Sequence, residues 1–124
     1  MRKKLVSWLL TVMMILSLII SVPMTAYGAD EPQATNIIVA NTNNSSIDFF
    51  DISANGNIAP ARTLKGASTN LNRPVDIALY DGELYVLNHE AHAIEIFDPL
   101  ASGDTTPVRR IIGGMSYPSG FDFD

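Results

Sequence analysis

The chain has 124 residues, 47% hydrophobic and 17% charged, which suits one small folded domain and excludes a disordered acidic tail or a multi-span membrane protein. Cysteine is absent, so a disulfide framework, a thiolate zinc site and a cysteine nucleophile are excluded. From residue 29 onward five basic residues oppose thirteen acidic ones, a net charge of −8 that repels phosphate backbones and argues against a nucleic-acid partner.

The N-terminus reads as export machinery. Arg2-Lys3-Lys4 is a basic start, Leu5 to Val22 is an apolar run with a few polar interruptions, and Pro23 ends it. Ala26 and Gly28 satisfy the small-x-small rule for cleavage after Gly28, so residues 1–28 are expected to be a signal-peptide helix and 29–35 a linker. An uncleaved leader would act as a membrane anchor, because eighteen residues nearly span a bilayer. The expected location is extracytoplasmic, secreted or periplasmic, with membrane contact only through a retained leader.

Residues 36–124 contain an internal repeat. Sliding the chain by 47 residues aligns Ile37–Gly66 with Leu84–Gly113 without a gap, and ten of the thirty pairs are identical, from Val39/Val86 and Asn41/Asn88 to Arg62/Arg109 and Gly66/Gly113. Average composition gives roughly two by chance. After a three-residue contraction the match resumes, with Pro74 against Pro118 and Ile77 against Phe121.

The unit reads as four short strands. Asp76–Tyr80 alternates, Asp81-Gly82 supplies the positive φ angles of a tight hairpin, and Glu83–Asn88 answers with apolar residues on both faces. Ala93–Asp98 forms a third strand after a polar loop, and Val108–Ile112 a fourth, entered through Pro107. The first copy supplies its second to fourth strands within Ile37–Leu64, and Phe121–Asp124 would open a further unit, eight strands in all. The expected fold is all-β, with four-stranded antiparallel propeller blades: about two blades of an incomplete ring.

Pro74-Val75-Asp76-Ile77-Ala78-Leu79 and Leu84-Tyr85-Val86-Leu87-Asn88, followed by Ala93-Ile94-Glu95-Ile96-Phe97-Asp98, resemble the NHL-type repeat of six-bladed β-propellers. Asp76 stands where that pattern has glycine and Tyr80 where it has aspartate; Pro118-Ser119-Gly120-Phe121-Asp122-Phe123-Asp124 restores both. Closed propellers need about four to eight blades, and two would leave apolar faces open. The reading adopted is a truncated piece of a longer propeller. The alternative is self-association, in which neighbours complete each other's blades and three copies close a six-bladed ring.

Candidate ligand-binding residues are Asn41, Asn88, His89 and His92. His89-Glu90-Ala91-His92 puts two imidazoles and a carboxylate in one loop, but the spacing is not that of the helical His-Glu-x-x-His zinc motif, and a solvated loop is the preferred reading. Asn41 and Asn88 end equivalent strands, where asparagine commonly caps a turn. The resemblance to gluconolactonase-like propellers implies calcium coordination there as the alternative. Asp51 and Asp98 are expected in turns, Arg62 and Arg109 to keep an outer edge soluble, and Tyr80, Tyr85, Phe49 and Phe50 to pack between blades. No catalytic triad, phosphate loop or paired-carboxylate motif stands out, and no cofactor is expected. The function expected is a non-catalytic binding or interaction module for an unidentified protein or small molecule. The alternative is a fragment of a metal-dependent lactonase- or lyase-like propeller enzyme.

Overall fold

The computed structural model describes residues 35–124; the expected signal peptide, and all but the last residue of the expected linker, lie outside the described residues. The described part is all-β, with two antiparallel sheets and only two short 3₁₀ turns. The first sheet holds β1 (Asn36–Asn41), β2 (Ser46–Asp51) and β3 (Arg62–Leu64) in the order β1-β2-β3. The second holds β4 (Pro74–Tyr80), β5 (Glu83–Asn88), β6 (Ala93–Phe97) and β7 (Arg109–Ile112) in the order β4-β5-β6-β7. Among the described residues, no helix is long and apolar enough to cross a membrane.

The 47-residue spacing read from the sequence reappears as register. Val39 faces Asp48 and Asp48 faces Thr63 in the first sheet; Val86 faces Glu95 and Glu95 faces Arg110 in the second. Turn chemistry repeats as well. Asp51 and Asp98 each accept the amide two residues on, from Ser53 and Leu100 at 2.8 and 2.7 Å. These are Asx turns, the use of aspartate expected there. The bonds from Ser53 hold the Asp51 carboxyl below its ordinary value. Asp81 and Gly82 take φ of 47° and 73°, the two positive angles of the tight hairpin between β4 and β5.

The core lies between the sheets. Ile47, Phe49 and Leu64 from the first meet Leu84, Val86 and Phe97 from the second, all with no exposed surface. Each such side chain contributes roughly 1.5–3 kcal/mol on burial. Alternation puts Ile38, Ala40, Ile47, Phe49, Arg62 and Leu64 on one face of the first sheet, because residues paired across strands share a face. In the second sheet Ile77, Leu84, Val86, Glu95 and Phe97 share the face turned to them.

Two differences from the sequence reading have physical causes. Phe121–Asp124 is not a strand, giving seven strands among the described residues rather than eight. A strand is defined by a hydrogen-bonded neighbour, and the segment instead packs by side chains: Phe123 stacks on Tyr80 at 4.3 Å and meets Tyr85 edge-on at 5.0 Å. Arg62 does not simply keep an edge soluble. Its guanidinium lies 3.3 Å from the centroid of the Phe49 ring and donates to the backbone carbonyls of Pro99, at 2.6 Å, and Ala101 in the turn that follows β6. The β3 position opposite Phe49 faces inward, so the side chain has the turn after β6 within reach.

That connection belongs to a seam along β3. Gly103 donates to the Thr63 carbonyl at 2.7 Å, Lys65 donates to the Gly103 carbonyl at 3.0 Å, and Asp104 accepts the Ser68 amide at 2.7 Å. Phe49 is buried between the sheets, as expected, but Tyr80 and Tyr85 lie on the other face of the second sheet and pack with Phe123, and Phe50 lies beside Ile37 on the outward face of the first, so these three do not pack between the sheets.

Candidate functional site

The four candidate residues sit at the ends of β1 and β5 and in the loop that follows β5. Asn41 is half-buried and donates to Asp48 Oδ2 at 3.0 Å. Asp48, in the middle of β2, also accepts from Ser46 Oγ at 3.3 Å and Thr63 Oγ1 at 2.9 Å, so its carboxylate is satisfied by its own sheet. Asn88 is fully buried and spans the connection between the sheets: its Oδ1 accepts the Asn72 amide at 3.1 Å and its Nδ2 donates to the Asn70 carbonyl at 3.2 Å. Asn41 makes no side-chain bond to the turn that follows it, so it does not cap that turn as expected, whereas Asn88 spends both polar atoms on tying a loop to a strand end.

Beside Asn88 lies the residue that takes the place of Asp48 in the second sheet. Glu95 has no exposed surface, and neither carboxylate oxygen has a hydrogen bond. Arg110 Nε comes within 2.7 Å of Oε1 as an ion-pair contact only. Burial pushes the Glu95 carboxyl up, against the opposing pull of the Arg110 guanidinium and the Asn88 amide. The first sheet solves the same problem better, with two hydroxyls and an amide around a shorter side chain.

The histidines are brought together by one partner, the backbone at Tyr117-Pro118. His89 Nδ1 lies 3.0 Å from the Pro118 carbonyl, and the Tyr117 amide donates to His92 Nδ1 at 3.0 Å. The Tyr117 ring packs against both imidazoles, at centroid distances of 5.4 and 4.7 Å. A carbonyl only accepts and an amide only donates, so His89 carries its proton on Nδ1 and His92 leaves Nδ1 bare. Each histidine thus has one ring nitrogen committed to the chain. Among the described residues no group of three or more His, Cys, Asp or Glu could hold a metal ion.

The first repeat makes the same two contacts with other side chains. Thr42 Oγ1 donates to the Pro74 carbonyl at 2.8 Å, and the Arg73 amide donates to Ser45 Oγ at 3.2 Å. Thr42 and Ser45 stand 47 residues before His89 and His92, and Arg73-Pro74 stands 44 before Tyr117-Pro118. Ser45 and His92 both have φ of 50°, and Arg73 and Tyr117 have φ of 54° and 47°, values uncommon for non-glycine residues. The loop after the second strand of each repeat is therefore a two-point clasp on an X-Pro dipeptide. Arg73 also reaches back to Glu90 at 2.9 Å. The repeat alignment sets Thr42 and Ser45 opposite His89 and His92, and Pro74 opposite Pro118, but only the fold shows that the loop and the X-Pro dipeptide touch.

Outside this loop, Arg109 occupies the Arg62 position of the second sheet and turns back on its own sheet, to Glu83 and to the Tyr85 hydroxyl at 2.9 Å. The bonds from Arg109 and Tyr85 hold the Glu83 carboxyl below its ordinary range. No protein-family model, curated protein or solved structure matches the chain.

Proposed function

We propose that the chain is an exported propeller-type repeat segment that works by association, without catalysis of its own, and that its two sheets are successive NHL-like blades. One observation carries this reading: the chain exposes both halves of the interface that it uses internally. The outer face of the first sheet carries Ile37 and Val39, 45% and 39% exposed, at the positions where the second sheet has Leu84 and Val86 in the core. The outer face of the second carries Ile111 and Arg109 where the first has buried Leu64 and the cross-sheet Arg62. A surface complementary at its two ends favours head-to-tail contact with further repeats, and a second copy supplies them. The −8 charge beyond the leader keeps nucleic acid out of the list of partners.

Light scattering of the full chain at micromolar concentration tests it. The expected result is a discrete oligomer that Val39→Asp dissociates. A monodisperse monomer would overturn self-association, and calcium-dependent hydrolysis of simple lactones would move the reading to an enzyme.

A further inference from the structure

The two clasps differ in one chemical respect. Thr42 and Ser45 hold Arg73-Pro74 with hydroxyls, which do not change charge in the range where proteins fold. His89 and His92 hold Tyr117-Pro118 with imidazoles, the side chains that ordinarily do so between about pH 5 and 8. We infer that the His89–His92 loop is an acid-releasable clasp on the segment Tyr117–Asp124.

Each bond fixes its own response. Protonation of His92 places an N–H on Nδ1, so a donor then faces the Tyr117 amide, also a donor, and the bond is lost. His89 already donates from Nδ1 to the Pro118 carbonyl and keeps that bond in either charge state. The asymmetry makes His92 the sensor and His89 a fixed hinge point. Downstream of the clasp the segment is held by the Phe121 amide on Asp76 Oδ2 at 3.1 Å and by Phe123 against Tyr80 and Tyr85. Loosening Tyr117 weakens these contacts and uncovers the aromatic face of the second sheet.

The charged and titratable groups around His92 are His89 and Glu90 on its own loop, Arg73 from the connection between the sheets, paired with Glu90, and the Tyr117 phenol. Asp76 on β4 and Asp122 and Asp124 lie further along the segment. The Glu90 charge is engaged by Arg73, so none of these replaces the lost acceptor.

Amide exchange measured by NMR on the full chain provides the test, with the Arg73 amide as a control in the same molecule. At pH 7.5 both amides should be protected and His92 should be the tautomer with bare Nδ1. At pH 5 the Tyr117 protection factor should fall about tenfold, the equivalent of one hydrogen bond, while that of Arg73 stays. His92→Ser, the residue of the first repeat at this position, should remove the difference. Protection of Tyr117 that follows Arg73 across the range, or a proton on His92 Nδ1 at pH 7.5, would overturn the proposal. The tautomer is read from the unmodified chain and so decides the matter even where the variant does not fold.

Discussion

Arg62 and Glu95 show how a side chain's worth depends on what the opposite sheet offers it. Burial lowers the proton affinity of the Arg62 guanidinium, with Asp98 pulling it back, yet arginine stays charged and its planar fork reaches two carbonyls at once. Arg62→Ala should cost roughly 2–3 kcal/mol, from two charge-assisted bonds and the stacking on Phe49. Arg62→Lys should recover only part of this, because an ammonium cannot span both acceptors. Urea denaturation checks both variants, and equal midpoints for wild type and Ala would refute the staple. Glu95 makes the opposite case. Its carboxyl is raised in the folded state, so the folded protein keeps the proton to higher pH than the unfolded chain. Its contribution is therefore fully present below the unfolded value of about 4.5 and is lost as pH rises through the folded value. Glu95→Gln should be more stable than wild type near neutrality and should lose this part of the pH slope. Parallel slopes for the two proteins would show that Glu95 is not the group responsible.

Among the elements, β3 is the one whose surroundings differ most from its sequence. It is three residues long and lies at the outer edge of its sheet, which by itself predicts a soluble, frayed strand. The turn Ala101–Asp104 covers that edge, and Gly66, just beyond the strand, leaves room for it: a Cβ built there would overlap the Asp104 carboxylate. Gly66 also has φ of 139°, a region that side chains disfavour. Its repeat partner Gly113 has φ of 110° but nothing within 4 Å of a built Cβ. Gly66→Ala should therefore cost roughly 1–3 kcal/mol more than Gly113→Ala, the increment being the steric one. Thermal unfolding of the two variants measures the difference, and equal losses would mean that Asp104 simply moves aside.

At the scale of the molecule, the two repeats stack so that one sheet's inward face meets the other's, leaving a related pair of faces outward. The apolar residues on those faces are the same ones that alternation places in the core elsewhere. The association test belongs here, since only the assembled surface decides whether Ile37 and Val39 stay exposed. Acid release joins this scale to the first: one proton on one imidazole removes one of the bonds that hold Tyr117–Asp124 on the second sheet and loosens the rest.

Much of this was legible without coordinates. Alternating apolar residues, the Asp81-Gly82 hairpin and the 47-residue repeat determine strands, turns and register, because these depend on contacts between residues close in the chain. Which side chains meet across the sheets was not legible, since those contacts join residues some thirty to forty positions apart, such as Thr42 with Pro74 and Arg62 with Ala101. His89 and His92 read as a solvated loop with ligand binding as the lesser candidate, because the sequence shows their spacing and hides their partner. Tertiary structure put Tyr117 and Pro118 against them, and with an amide and a carbonyl as partners it decided which nitrogen of each ring holds the proton.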